Sequence, residues 1–150
     1  MTAHELVVLA ALVLPGFTAC AEFGSYAFVH PVIRRLPTEH HVSVEQGLVR
    51  TFGRVMPVAM PLCLGVLILW ASLVGVGVLP WLAVGLWGHG LVTTVAVNVG
   101  INLRTARTRV AEVAEPAWAR MRRRWEVFQA VRSWAFLVAF VITCVAVVQS

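Results

Sequence analysis

The sequence contains neither lysine nor aspartate, and it is poor in charge of any kind. Only 13% of its 150 residues are charged, whereas 59% are hydrophobic and the mean hydropathy is +0.83. A soluble domain of this length does not carry so much apolar surface. The formal net charge of +5 comes from arginines confined to two segments between apolar runs, so we predict no nucleic-acid-binding surface.

Cysteine is scarce, and its placement excludes several kinds of site. Cys20, Cys63 and Cys144 lie in three different apolar runs, and neither a CxxC pair nor a zinc-type Cys/His spacing occurs. We therefore predict buried apolar thiols and no disulfide. Internal repeats and Gly-rich phosphate-binding loops are also absent from the sequence.

Four apolar runs dominate what is present. They cover residues 6–29, 55–79, 81–103 and 131–148. Each is close to the length of about 20 residues that a helix needs to cross the hydrocarbon core. The sequence thus predicts an all-α fold, a bundle of four transmembrane helices forming one domain over residues 1–150. The first run lacks a basic flank and contains Glu22, so we do not interpret it as a cleaved signal peptide.

The arginines predict how the chain crosses the membrane. Residues 31–54 and 104–132 carry all of them, whereas a tight turn at residues 77–80 joins the second and third spans. Short basic loops remain in the cytoplasm. We therefore expect a multi-pass protein of the cell membrane, with both basic connections cytoplasmic and both termini, Met1 and Ser150, outside.

The connection before the last span has a helical pattern. Pro116 suits a first helical turn, and apolar residues recur at helical spacing: Val113, Ala117, Met121, Trp125 and Phe128. This pattern predicts an amphipathic cytoplasmic helix leading into the last span. It either lies on anionic lipid headgroups or covers the cytoplasmic mouth of the bundle. In the third span, Gly85, Gly88 and Gly90 predict close helix packing.

Polar groups inside a span are costly and therefore mark candidate sites. Glu22 shares one helix face with Ser25, Tyr26 and His30. We interpret Glu22 either as a proton-accepting carboxylate in a polar pocket or as a packing residue that bonds a neighbouring helix.

The third span carries Asn98 and Asn102, which are four residues apart and share a face. They either join helices or bind a polar ligand. A metal site is conceivable at His40 and His41 together with His30, but adjacent histidines lack the spacing of an established metal motif. We predict no organic cofactor and leave a metal ion open.

Three segments resemble the anthrone oxygenase-like family of small four-span membrane proteins. They read Q…FGRVMP (46–57), NVGIN (98–102) and WEVFQAVR (125–132). The corresponding family patterns are Q-x-n-Y/F-G-x-x-M-P, N-x-P-x-N and W-x-x-W/F-N-x-x-R. The chain departs from these patterns at Gln129 for Asn, at Gly100 for Pro, and at Arg54, where fungal members often carry His.

The resemblance implies oxidation of an anthrone-like phenolic substrate by O₂, without a known organic cofactor. It suggests Glu22 or His30 as the base, and Arg132 with Asn102 as the groups that hold the substrate anion. The remaining candidate substrate contacts are Tyr26, Arg54, Asn98, Trp125 and Gln129. We expect Arg132 to pair with Asn102 or with a bound anion, because a guanidinium suits enolates and phenolates.

Other classes of function remain open at this point. The chain is otherwise a non-enzymatic membrane scaffold, an accessory subunit or a lipid-binding protein. A small transporter with four spans would have to form a homo-oligomer. A pocket lined by Glu22, Asn98 and Arg132 would favour the enzyme, whereas the same residues bonded to one another between helices would favour the scaffold.

Overall fold

The structure is a computed structural model that describes residues 1–74 and 77–149, apart from the side chain of Glu112. Four long helices account for most of it: α1 Ala3–Ile33, α2 Thr38–Val74, α3 Val78–Arg107 and α4 Glu115–Gln149. All four are long and apolar enough to cross a membrane. No strand occurs in the described ranges, so the predicted all-α four-helix bundle is confirmed.

Two of the helices change their winding at comparable positions. The α-helical turns of α1 end at Gly24 and are followed by a π-helical turn, Ser25–Val29; in α3 a second π-helical turn covers Thr94–Asn98. A π turn inserts an extra residue into a helix and is frequent at functional sites. A capping box between Thr2 and Glu5 begins α1.

The connections are shorter than the sequence predicts. Residues 31–54 are largely helical, because α1 continues to Ile33 and α2 begins at Thr38. The third helix begins at Val78, so most of the turn predicted at 77–80 belongs to α3. Residues 75 and 76, which belong to the predicted second span (55–79), lie outside the described residues, as does Ser150.

The amphipathic segment is continuous with the last span within α4. Its buried face is formed by Trp118, Arg122 and Trp125, whereas Ala117 is exposed and Met121 is half-buried. The apolar face expected from the sequence is therefore rotated from the face that packs on the bundle.

The bundle core is closed by an aromatic stack. Trp87 of α3 lies against Phe136 of α4, with ring centroids 4.1 Å apart, and donates from Nε1 to the Met60 carbonyl of α2 at 3.0 Å. Gly90 permits this approach, since a Cβ there would lie 2.6 Å from Phe136 Cε1.

Two expectations about small residues of the core need correction. A Cβ at Gly85 or at Gly88 would meet nothing within 4 Å, so only Gly90 of the predicted glycine set packs closely. All three cysteines are free, but Cys63 alone is buried and Cys20 is exposed.

Candidate functional site

A buried ion pair joins the first and last helices. Arg132 Nη2 lies 2.7 Å from Glu22 Oε2, and the two residues are 5% and 2% exposed. Gln129, one turn earlier on α4, donates to the same carboxylate oxygen at 2.8 Å and accepts from Arg132 Nη2. Thr94 of α3 accepts from Arg132 Nη1 at 3.2 Å. We call Glu22, Thr94, Gln129 and Arg132 the Glu22 cluster.

The Glu22 cluster changes the interpretation of its members. Glu22 is compensated by a guanidinium and bonded by an amide, as a buried carboxylate requires. Arg132 therefore pairs with Glu22 and not with Asn102, which was one of the two partners expected from the sequence, the other being a bound anion. Sequence spacing orders residues along one helix, but it does not fix how α1 and α4 are rotated toward each other.

A second buried cluster is centred on Glu45 of α2. Its Oε1 lies 2.6 Å from Arg122 Nη2, 3.3 Å from His30 Nδ1 and 3.5 Å from His41 Nε2. None of the four residues is more than 9% exposed. We call Glu45, Arg122, His30 and His41 the Glu45 cluster. Sequence analysis missed Glu45 and Arg122 because it assigned both to basic connections.

Aromatic rings hold the Glu45 cluster from the α4 side. The Arg122 guanidinium carbon lies 4.3 Å from the centroid of Trp125 and 5.9 Å from that of Trp118, within the range of cation–π attraction. The His30 ring centroid is 4.6 Å from that of Trp125. Trp118 Nε1 donates to His41 Nδ1 at 3.4 Å; this leaves His41 Nε2 as the nitrogen that donates to Glu45.

A cavity of about 210 Å³ lies against both clusters. Its polar lining includes all four members of the Glu22 cluster and two members of the Glu45 cluster, His30 and Glu45. Ser25, Asn102 and Trp125 complete the polar lining. Its apolar lining comes largely from α2 and α3: Leu48, Val49, Phe52, Gly53, Met56, Pro57, Met60, Pro61, Leu91, Val95 and Val99. Most of the site residues predicted from sequence therefore meet at one cavity.

Three of the predicted residues do not line this cavity. Arg54 is exposed on α2. Tyr26 is half-buried, with its ring edge toward Phe23 at a centroid distance of 6.2 Å. Asn98 is fully buried and donates from Nδ2 to the Trp125 carbonyl at 3.3 Å, so it joins α3 to α4.

Several buried polar atoms of the lining residues have no hydrogen-bond partner in the described part of the chain. They are Asn102 Oδ1, Trp125 Nε1 and Arg132 Nε. An unpaired buried polar atom is costly and points to an absent partner. Each of the three atoms belongs to a residue that lines the cavity.

The structure does not favour the metal site that the sequence left open. Among residues 1–74 and 77–149, no group of three or more His, Cys or Glu side chains is arranged to hold a metal ion. His40 is exposed beside Glu39, whereas its neighbour His41 points inward to Glu45. The two adjacent histidines therefore lie in different environments and do not point toward one common site.

Comparisons with known proteins add no relative. No family model matches the chain, and no match was found among curated proteins or among solved structures. The class that fold and site define is a multi-pass helical membrane protein with a polar cavity inside its bundle.

Proposed function

We propose that this protein is a membrane-embedded oxygenase-like enzyme that oxidises a small phenolic, anthrone-like aromatic with O₂. The observation that carries the proposal is the cavity, which combines an apolar wall with a buried His–Glu pair at His30 and Glu45. Its volume of about 210 Å³ is below the roughly 300–1,000 Å³ of drug-sized pockets, which favours a small ligand.

The base is His30 rather than Glu22. Glu22 is neutralised by Arg132 and bonded by Gln129, so it is poorly placed to take a proton. His30 Nδ1 lies 3.3 Å from the Glu45 carboxylate, and donation of Nδ1–H to that carboxylate leaves Nε2 as the proton acceptor. A base oriented by a carboxylate is the arrangement used in many general-base sites.

The proposed chemistry needs no further oxidant or reductant. His30 Nε2 removes a proton from the CH₂ group between the two aromatic rings, which leaves an enolate. The enolate carbon combines with O₂, and the proton returns from His30 to give a hydroperoxide. Loss of water from the hydroperoxide forms the second carbonyl, so that anthrone and O₂ yield a quinone and water. Trp125 Nε1 and Arg132 Nε are unpaired donors suited to the enolate oxygen.

The segments behind the family resemblance also support this proposal. Phe52, Gly53, Met56 and Pro57 come from the first of these segments and line the cavity. Asn102 comes from the second, and Trp125, Gln129 and Arg132 come from the third. The three segments that resemble the family are far apart in the chain, yet each contributes residues to the same cavity.

The Glu22 cluster favours a second candidate, a non-enzymatic scaffold or lipid-binding protein. Its members are bonded to one another across three helices, which is the arrangement expected of a structural role. We assign the Glu22–Arg132 ion pair to stability and the Glu45 cluster to proton transfer, because an unbonded imidazole nitrogen is what a base requires. Arg132 Nε is outside that ion pair and can still donate to the substrate oxygen.

The proposal includes the orientation of the chain. We place the arginine-rich end of the bundle in the cytoplasm and both termini outside the cell membrane, as the positive-inside rule indicates. The bilayer and a small hydrophobic aromatic are the partners that the proposal does require.

The experiment measures oxidation of anthrone by the protein in lipid nanodiscs, following O₂ uptake and quinone absorbance. We expect wild type to exceed empty nanodiscs, and His30→Gln to lose about 100-fold or more, as removal of a general base does. His89→Gln is the matched control, since His89 is an exposed histidine of α3 away from the cavity. A wild-type rate equal to that of empty nanodiscs would refute the oxygenase and leave the scaffold.

A further inference from the structure

Among the described residues, the cavity approaches the surface of the bundle where its lining residues are exposed. Its exposed lining residues are Gly53, Pro57 and Pro61 on α2 and Val95 and Val99 on α3. Every lining residue contributed by α1 and α4 is buried. The opening therefore lies between α2 and α3, on the side of the bundle rather than at either end.

Local helix irregularities explain why the wall is open there. Pro57 and Pro61 lie inside α2 and have no N–H to donate along the helix. The π turn Thr94–Asn98 of α3 borders the same cavity. Gly53 adds no side chain, and a Cβ at that position would meet only Val49 Cγ1, at 3.8 Å.

Two further routes, from the two ends of the bundle, are occupied by buried side chains in the described part of the chain. Toward the arginine-rich end, Trp118, Arg122 and Trp125 are buried and in contact with the Glu45 cluster. Toward the opposite end, Trp87 and Phe136 are fully buried in the aromatic stack. A ligand that entered from water would have to displace one of these groups.

We propose that the opening between α2 and α3 is a lateral portal through which the ligand enters from the lipid. The ligand is then a membrane-dissolved small aromatic with a phenolic hydroxyl, and not a water-borne, charged compound. The rim is apolar, at Pro57, Val95 and Val99, whereas the unpaired polar atoms belong to residues deeper inside. Such a ligand can partition into the bilayer and bond its hydroxyl only after entry. The chemical class of this ligand rests on the proposed function.

The test uses 1-naphthol, a fluorescent phenol, and the full chain in phosphatidylcholine nanodiscs. Stopped-flow fluorescence measures its association rate at constant aqueous naphthol, while cholesterol added to the phosphatidylcholine changes the partition coefficient and thus the mole fraction of naphthol in the lipid. We expect the rate to follow the mole fraction of naphthol in the lipid. Val95→Trp should slow entry by at least about tenfold, because the indole fills the portal.

Val92→Trp is the matched control, since Val92 and Val95 are 66% and 64% exposed and only Val95 lines the cavity. Gly53→Leu with Gly47→Leu as its control repeats the comparison on α2, where a Cβ at Gly47 would meet nothing within 4 Å. Equal rates within both pairs, or a rate that follows aqueous naphthol alone, would overturn the portal.

The remaining outcomes separate the portal from the enzyme. Normal naphthol entry without oxidation of anthrone would refute the oxygenase and keep the portal. Absence of naphthol binding would overturn both the portal and the phenolic ligand. A phospholipid retained in native mass spectra and not displaced by naphthol would assign the opening to a lipid chain, which contradicts the proposal.

Discussion

Replacement of Glu22 by Gln should destabilise the bundle strongly, although Gln preserves the size and hydrogen bonds of the side chain. The amide oxygen can still accept from Gln129 and Arg132, which now contact Glu22 at 2.8 and 2.7 Å. What the variant loses is the negative charge opposite a guanidinium that is 5% exposed. Leaving one member of a buried ion pair without its partner costs about 3–5 kcal/mol in proteins.

The opposite replacement should cost less. Arg132→Gln leaves Glu22 without its cation, but a carboxyl group can take up a proton and become neutral, whereas arginine remains charged in proteins. The double variant carries no charge at the site. We therefore expect Glu22→Gln to be the least stable of the three variants, and the double variant to recover part of its loss.

The free energy of unfolding is measured by titrating SDS into detergent micelles and following tryptophan fluorescence. The double-mutant cycle gives the coupling between Glu22 and Arg132. Its control is the Arg34–Glu126 pair near the arginine-rich end, with a 3.0 Å contact and an Arg34 side chain that is 57% exposed. Exposed pairs contribute about 0–1 kcal/mol. A Glu22–Arg132 coupling no larger than that of the control would show that the burial argument is wrong.

Three other outcomes follow from the same structure. Arg132→Lys should reduce stability more than Arg123→Lys, because a lysine cannot donate to Glu22, Gln129 and Thr94 at the same time as the guanidinium does. SDS titrations compare the free energies of unfolding of the two variants. Gly90→Ala should cost about 1–3 kcal/mol by overpacking, since its Cβ meets Phe136 at 2.6 Å, whereas Gly85→Ala meets nothing; equal stabilities would contradict this. In intact cells an impermeant maleimide should label His4→Cys but not Arg124→Cys, both exposed positions, in a background without Cys20; the reverse pattern would invert the orientation.

The four spans were predictable because hydropathy needs no knowledge of helix neighbours. The sequence also contained a signal that part of the first basic segment forms a buried helix face. His41, Glu45, Leu48, Phe52 and Met56 recur at helical spacing and are buried or half-buried. Because this series includes His41 and Glu45, we interpreted the segment as a solvated loop and not as a buried helix face. A buried carboxylate that is compensated by an arginine from another helix cannot be distinguished from a solvated one in the sequence alone.

The helix ends and rotations were not predictable to the same degree. Arg122 is not part of the apolar face predicted for its segment, yet it is 2% exposed because Trp118 and Trp125 cover it and Glu45 compensates it. The π turns of α1 and α3 have no simple sequence signal. They shift the register of every later residue of the same helix, including Asn102 in α3, which helps to explain why Arg132 does not pair with Asn102.

The two clusters differ in the contacts that their carboxylates already make. In the Glu22 cluster both charges and the amide of Gln129 are joined across α1, α3 and α4, so a ligand would have to break bonds to engage the carboxylate. In the Glu45 cluster the carboxylate is bonded on one oxygen by three groups. His30 contacts it through Nδ1 only, and its residue also lines the cavity. Under the proposed function, the Glu22–Arg132 ion pair stabilises the bundle and His30 transfers the proton, so a variant of His30 can test the chemistry without removing the ion pair that joins the helices.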